Sequence, residues 1–183
     1  RLVSDWSSDV CSSDLDHTWL TERLPVSGET RRAHGFSTAP GGKGFNQAIA
    51  AHRQGVSVQF VGAIGDDQLG RFAQTYAREQ GLSCRWQVSA EAPTAAAGIT
   101  VDADGRNQIL VALGANEWLD PVPLRDAIAS ASLLLLQLEK NIDAIATLIE
   151  LAEAAGVPVQ LNPAPMHPDV DASMLSRVAL LTP

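Results

Sequence analysis

The sequence has 183 residues, enough for one domain with a buried core, and its 45% hydrophobic and 19% charged residues are ordinary for a globular protein. A formal net charge of −8 and the lack of any Lys/Arg run argue against nucleic acid or an anionic membrane as a partner. No apolar run approaches the roughly 20 residues of a membrane span. Cys11 and Cys84 form neither a metal-ligand pattern nor a disulfide framework, which is typical of a reduced, cytoplasmic protein.

The first residues of the chain do not have the pattern of a folded domain. Residues 5–15 are rich in Ser and Asp, lack helical and strand periodicity, and match one reading frame of a common sequencing adapter at every residue. We therefore predict that residues 1–15 are an adapter-derived tail, not native, that does not pack into the domain. The chain also stops abruptly after the strand-like residues 180–183, so we expect a fragment truncated at both ends, with native sequence at 16–183.

The amino-terminal half alternates extended stretches with helices. Strands are predicted at 17–24, 30–37 and 56–61, and helices at 46–54 and 68–80. A glycine loop at 41–44 precedes the first helix. Asp66 and Asp67 precede the second, where acidic side chains suit the positive end of the helix dipole.

The carboxyl-terminal half has the pattern of a parallel α/β layer. Strands are predicted at 95–101, 108–113, 132–138, 157–161 and 178–181, and helices at 121–130 and 141–155. From residue 132 the order strand, helix, strand, helix, strand predicts right-handed βαβ units and a parallel sheet covered by helices. The stretches 17–37 and 95–113, the latter a hairpin around an Asp-Gly turn, do not fit that layer. We predict that they form a small separate β-sheet projecting from the sandwich.

Residues 40–48, PGGKGFNQA, carry the strongest chemical signal. Three glycines in four residues let the backbone approach a ligand, and their N–H groups can converge with those of the first helical turn. Asn46 offers both a donor and an acceptor, as a polyhydroxylated ligand requires. A plain loop that enters a helix, with Lys43 in solvent, fits these residues equally well. The segment is not a Walker loop, because Gly44 follows Lys43, and it lacks the dinucleotide fingerprint.

Residues 41–55, GGKGFNQAIAAHRQG, resemble the amino-terminal signature of the ribokinase family of carbohydrate kinases. Further family-like segments follow in order at 24–30, 61–70, 93–94, 114–116, 136–139, 161–165 and 181–183. The resemblance covers about residues 16 to 183. It implies an α/β fold: a three-layer sandwich with a mainly parallel sheet and a projecting β-sheet lid.

The resemblance also implies a sugar-binding site. Its residues are Asp16, Gly41, Gly42, Lys43, Gly44, Asn46 and Glu139. Asp16 matches the acid that closes the family's first strand and binds sugar hydroxyls, since a carboxylate accepts two hydrogen bonds at once. Without the resemblance, Glu139 would be interpreted as a solvated residue at a helix start.

Other polar residues have simpler interpretations. Asp66 and Asp67 could suggest a metal, but helix capping is favoured. Asp102 and Asp104 are interpreted as turn residues of the hairpin. Asn162 follows a predicted parallel strand, and we expect it behind the site rather than in it.

Four positions depart from the family pattern, among them His52 and Gln54, which are more polar than the usual helix face. Phe45 stands where many members have a small residue, so it either narrows the pocket or packs beneath it. Asp14 stands where the family has Asn, which indicates that the first strand is missing or altered.

The resemblance implies ATP-dependent phosphorylation of a sugar, with D-ribose to ribose 5-phosphate as the leading reaction. It also implies Mg²⁺, with a monovalent cation such as K⁺ as a further option, and a homodimer formed through the lid sheet. The family's general base lies in a Gly-Ala-Gly-Asp segment, which the family places beyond Pro183, so the chain alone is expected to be inactive. The alternatives are a fructokinase, deoxyribokinase or nucleoside kinase, or a sugar-binding relative without catalysis.

Overall fold

The computed structural model describes residues 6–10, 14–139 and 141–182, which form two β-sheets with helices packed around the larger one. The strands are β1 (Trp6–Val10), β2 (Asp14–Leu20), β3 (Gly35–Gly41), β4 (Ser57–Gly65), β5 (Ser83–Ser89), β6 (Ala96–Val101), β7 (Asn107–Ala112), β8 (Leu133–Gln137), β9 (Val159–Asn162) and β10 (Leu180–Leu181). The helices are α1 (Lys43–Arg53), α2 (Gln68–Glu79), α3 (Arg125–Ala129), α4 (Ile142–Ala155) and α5 (Ala172–Leu175), with 3₁₀ turns at Gly114–Trp118 and Val122–Leu124. Within these residues, no helix combines the length and apolarity that a bilayer crossing needs.

The main sheet has six parallel strands in the order β10-β9-β8-β1-β4-β5. Successive residues of β4 face opposite sides of the sheet. Val61 packs in one core cluster with Ile145 of α4, whereas Phe60 packs in another with Ile49 of α1. Because both faces of the strand are buried, its apolar residues are continuous rather than alternating. The predicted three-layer α/β sandwich is confirmed.

Strand β1 lies in the centre of the main sheet, which corrects the expectation for residues 1–15. Its backbone pairs with β4 from Trp6 to Val10 and with β8 from Ser7 to Asp9, and Leu15 is fully buried. The prediction that this segment stays outside the domain is therefore wrong for residues 6–10 and 14–15. A strand is required there because the facing edges of β4 and β8 would otherwise leave interior N–H and C=O groups unpaired. Residues 1–5 and 11–13 lie outside the described residues, and the adapter origin stays a prediction.

The smaller sheet has four strands in the order β3-β2-β6-β7, as the separate-sheet prediction required. Strands β2 and β6 are parallel, and the two outer pairs are antiparallel. The bounds differ from those predicted: β2 begins at Asp14, and β3 starts only at Gly35 but runs into the glycine segment. The edge strand β5 was not predicted from sequence.

The hairpin and the first helix show how local chemistry sets these elements. The Asp102 carboxylate accepts hydrogen bonds from the backbone N–H groups of Asp104 and Arg106, at 3.0 Å each, which confirms the turn interpretation. Helix α1 begins at Lys43, three residues earlier than predicted, because Gly42 serves as its N-cap with a φ of 89°. Lys43 and Gly44 therefore lie in the first helical turn rather than in a loop.

Candidate functional site

Asp16 lies directly against the glycine segment. The antiparallel pairing of β2 with β3 sets Asp16 opposite Ala39 and brings Gly41 alongside the Asp16 side chain. A Cβ atom at Gly41 would lie 2.3 Å from Asp16 Oδ2, so only glycine leaves room for this carboxylate. The sequence thus predicted a pair of residues that the fold brings into contact.

Lys43 and Glu139 join the glycine segment to the end of strand β8. The Glu139 carboxylate accepts hydrogen bonds from the Lys43 backbone N–H at 2.9 Å and from Lys43 Nζ at 2.6 Å. Glu139 is buried, and Lys43 is only partly exposed. The plainer alternatives, Lys43 in solvent and Glu139 as a solvated helix-start residue, do not hold. An ion pair with one buried partner depends on good geometry and a second hydrogen bond, and both are present.

Asp14 joins this cluster and was missed from the sequence. Successive residues of a strand alternate faces, so Asp14 and Asp16 share one face of β2. Burial, followed by the negative charges of Asp16 and Glu139, raises the pKa of Asp14 to about 7, although Lys43 opposes the shift. The Asp-x-Asp spacing was a usable signal, but the segment had been assigned no functional weight because of its adapter match.

The Asp16 carboxyl also has a raised pKa. Partial burial is the main cause and Glu139 adds to it, whereas His17 and Lys43 act in the opposite direction. Among the residues that the structure describes here, the cluster therefore holds three carboxyl groups around one ammonium group. Carboxylates accept hydrogen bonds from hydroxyl groups and repel anions, so the cluster suits the hydroxyl side of a neutral polyol.

The remaining predicted residues lie close in sequence but differ in exposure. Asn46 is exposed on α1, one turn after Gly42, to whose carbonyl its backbone N–H donates at 3.0 Å. Gly44 is buried in the first turn of the same helix. Phe45 packs beneath the site, edge-on to Phe60 with ring centroids 5.2 Å apart, and so it does not narrow a pocket.

Two amide side chains, Gln137 and Asn162, mark the carboxyl ends of β8 and β9, and a third, Gln47, meets Gln137 from α1. Gln137 is buried and donates a hydrogen bond to Gln47 Oε1 of helix α1. Asn162 lies opposite Gln137 in the parallel register. Gln47 and Gln137 were missed, although a Gln that ends the run Leu133–Leu136 was a visible break in an apolar strand. Asn162 lies where parallel strands end, as predicted.

A cavity of about 790 Å³ opens beside Glu139. Its walls include Val111 and Leu113 at the end of β7, Asn141 at the start of α4, and Asp171 before α5. Of the predicted sugar-site residues, Glu139 alone lines it. Glu139 thus lies between the carboxylate cluster and a space large enough for a small-molecule ligand.

The Asp66-Asp67 pair behaves as the capping interpretation predicts. Asp67 is the N-cap of α2, and its Oδ1 accepts a hydrogen bond from Gly70 N at 2.8 Å. Asp66 is exposed and pairs with Arg71 at 3.2 Å. Across 6–10, 14–139 and 141–182, no three or more His, Cys, Asp or Glu side chains are grouped so as to hold a metal ion.

The amino-acid sequence resembles known proteins over most of its length. The model of the family described as pfkB family carbohydrate kinase matches residues 10–183. The ribokinase of Haemophilus influenzae is 33% identical over 176 residues, which cover 94% of this chain and 57% of that protein.

Solved structures place the fold in the same group. The ribokinase of Giardia lamblia superposes with a TM-score of 0.89 at 32% identity, over 97% of this chain and 57% of that one. The Arabidopsis thaliana ribokinase, solved in complex with ribose and ATP, has a TM-score of 0.83 at 29% identity, over 98% of this chain and 60% of that one. The chain therefore spans less than two thirds of the length of each of these relatives.

Proposed function

Because the chain belongs to the pfkB family of carbohydrate kinases, we propose that it supplies the sugar-binding half of an ATP-dependent sugar kinase. D-Ribose is the leading substrate and ribose 5-phosphate the product. The observation that carries this proposal is the cluster in which Asp16 lies against Gly41 while Glu139 binds Lys43. The relative solved with ribose and ATP supports the choice of sugar and phosphate donor.

The chemistry of the cluster suits a sugar rather than a phosphate. Asp16 and Glu139 supply hydrogen-bond acceptors, and Lys43 limits the mutual repulsion of the carboxylates by holding Glu139. Among the described residues of the cluster, a phosphate group would meet the carboxyl groups of Asp14, Asp16 and Glu139 and the ammonium group of Lys43. In our proposal the cluster holds sugar hydroxyls and leaves another hydroxyl free for phosphoryl transfer.

The cofactors follow from the family and not from side chains of this chain. We propose ATP as the phosphate donor and Mg²⁺ as its companion ion, with K⁺ as a further option. No described residue is assigned to these ions, and the general base is expected in the part of the relatives that this chain does not span. A cytoplasmic location stays a prediction from cysteine usage.

Replacing Asp16 with Ala in the full-length protein should weaken ribose binding ten-fold or more. The loss of a charged acceptor leaves a ligand hydroxyl unpaired, at a cost of roughly 1–3 kcal/mol or more. Asn46→Ala should have a comparable or smaller effect, and ATP affinity should barely change in either variant. Isothermal titration with ribose, deoxyribose and fructose measures the effect and ranks the alternative sugars.

Asp104→Ala is the control, because Asp104 lies in the hairpin turn and is largely exposed. It should leave ribose affinity unchanged. If Asp16→Ala binds ribose within about two-fold of the parent, the sugar site is misplaced. Sugar binding without sugar-dependent ATP turnover by the full-length parent would favour a binding protein over a kinase.

We further propose that a second copy of the protein covers one face of the smaller sheet. The strand register sets Trp19 opposite Phe36 and places His17 in line with Leu110 across β6. The His17 and Phe36 rings stack with centroids 6.2 Å apart, and Phe36 and Leu110 are 61% and 81% exposed. An exposed apolar face of this kind on a thin sheet is typical of an interface.

Leu110→Glu should therefore convert a dimer of the full-length protein into a monomer. A buried charge without a partner destabilises an interface strongly. Val122→Glu is the matched control, since Val122 is also exposed but lies outside the smaller sheet. Sedimentation at micromolar concentration measures the mass of each variant. A monomeric parent with full activity would contradict the dimer.

A further inference from the structure

Asp67 makes more contacts than helix capping needs. Besides the bond from Gly70 N, its Oδ1 accepts a hydrogen bond from Thr94 Oγ1 at 2.7 Å, and its Oδ2 accepts one from Thr94 N at 2.7 Å. Burial alone raises the pKa of Asp67, but the hydrogen bonds from Thr94 and Gly70 outweigh it and lower the pKa. The carboxylate therefore stays ionised, and two of these hydrogen bonds come from Thr94, which lies 27 positions away in the sequence.

Thr94 lies where the chain passes from the main sheet to the smaller one. It precedes β6 by two residues, and its side chain is buried. Its hydroxyl donates to Asp67 and accepts a hydrogen bond from the N–H of Gly65 at 2.9 Å, at the end of β4. One hydroxyl group thus connects the last residue of a main-sheet strand with the cap of α2.

The glycines around this junction leave no room for a side chain. A Cβ at Gly65 would lie 2.7 Å from Thr94 N, and one at Gly70 would lie 2.4 Å from the Gly65 carbonyl oxygen. The return from the smaller sheet packs here too: a Cβ at Gly114 would lie 2.3 Å from the Pro93 carbonyl oxygen. Such close backbone approach requires glycine at these three positions, because any side chain would clash with the neighbouring backbone.

The junction is connected to Asp16 through the pairing of β2 with β6 and through one hydrogen bond directly beside Thr94. The carbonyl of Ala95, next to Thr94, accepts a hydrogen bond from Leu15 N at 3.1 Å. Leu15 is fully buried and immediately precedes Asp16. A displacement of residues 94–95 would therefore shift the backbone that carries Asp16.

We infer that Asp67 is a positioning residue, which holds the smaller sheet at a set angle to the main sheet and thereby places Asp16 and the glycine segment against Glu139 at the end of β8. This inference rests on the proposed function for its effect on sugar binding, but not for the anchoring itself. Asp67 does not contact the sugar site; it acts through Thr94, Ala95 and Leu15.

The test compares Asp67→Asn and Thr94→Val in the full-length protein. Asn keeps one carbonyl oxygen but faces a donor with its NH₂ group, and Val keeps the shape of Thr without the hydroxyl. Both variants should speed amide hydrogen exchange in β6 and β7 and leave exchange in α4 unchanged. Both variants should raise the KM for ribose about five-fold or more, which is the lower end of the coupling typically measured between linked sites. The KM for ATP should stay within about two-fold of the parent value.

Two further variants separate anchoring from a general loss of stability. Thr94→Ser restores the hydroxyl and should return exchange and ribose KM to near the parent values. Asp66→Asn changes the neighbouring exposed carboxylate and should alter neither. Unchanged exchange in β6 and β7, or equally fast exchange in α4, would overturn the inference. If the parent phosphorylates no sugar, the proposed function fails, and the exchange difference alone decides whether Asp67 is an anchor.

Discussion

Deleting residues 1–10 should abolish the cooperative unfolding transition of the chain. This deletion removes β1, which pairs with β4 on one side and β8 on the other. The main sheet would be split into two parts whose inner edges have unpaired backbone groups. The free energy lost with these hydrogen bonds would exceed the free energy of unfolding of a typical domain, about 5–15 kcal/mol. Thermal denaturation followed by circular dichroism measures the result.

A proline substitution tests the same strand without shortening the chain. Ser8 lies in register with both Gln59 and Leu134. Ser8→Pro removes a backbone donor from a central strand and should be nearly as damaging as the deletion, whereas Ser8→Ala keeps every backbone group. A deletion variant that melts within a few degrees of the parent would contradict the structure. Residues 1–10 would then behave as the unpacked tail that the adapter match predicts.

Replacing Asp14 with Asn should stabilise the chain at pH 8, by up to about 4 kcal/mol. The folded state raises the pKa of Asp14 from 3.8 to about 7, chiefly by burial, so it favours the protonated form. Below pH 4 the Asp14 carboxyl therefore does not lower the free energy of unfolding of the parent. The parent loses stability as the pH rises from about 4 through 7, because the folded state resists ionisation of Asp14. Asn has the shape of the carboxyl group and stays neutral, so the gain should shrink toward zero near pH 4.

Urea unfolding of parent and variant between pH 4 and pH 8 measures this gain. Asp104→Asn serves as the control, because it makes the same substitution at a side chain that is 74% exposed and should not stabilise the chain comparably at pH 8. A difference between Asp14→Asn and the parent that stays constant with pH would show that Asp14 is ionised in the folded state throughout this range.

Local patterns in the sequence predicted most of the helices and strands. The apolar spacing of α4 and the glycine that ends it, Gly156 with a φ of 70°, depend on neighbouring residues alone. The same holds for Asp67 as the cap of α2 and for the hairpin turn at Asp102. A cap or turn bond joins residues two to four positions apart, so its residue types indicate its geometry directly.

The family resemblance predicted most of the candidate site but not how its members meet. Asp16, Gly41, Lys43 and Glu139 were named from the sequence, and the fold brings them together, although their role in sugar binding stays a proposal. The contact between Lys43 and Glu139 spans 96 positions, and no local pattern indicates it. Asp14 was given no role in the site because its segment matches the adapter, whereas its burial follows from the pairing of β2 with β3 and β6.

The tertiary structure alone decided the place of β1 and the second role of Asp67. The sequence WSSDV has three polar residues in five, which is atypical of a central parallel strand, and so its composition predicted the wrong location. Backbone pairing decided it instead, because the gap between β4 and β8 needs N–H and C=O partners whatever the side chains are. Likewise, the cap of α2 followed from adjacent residues, but the bonds from Thr94 form only after the two sheets have packed together.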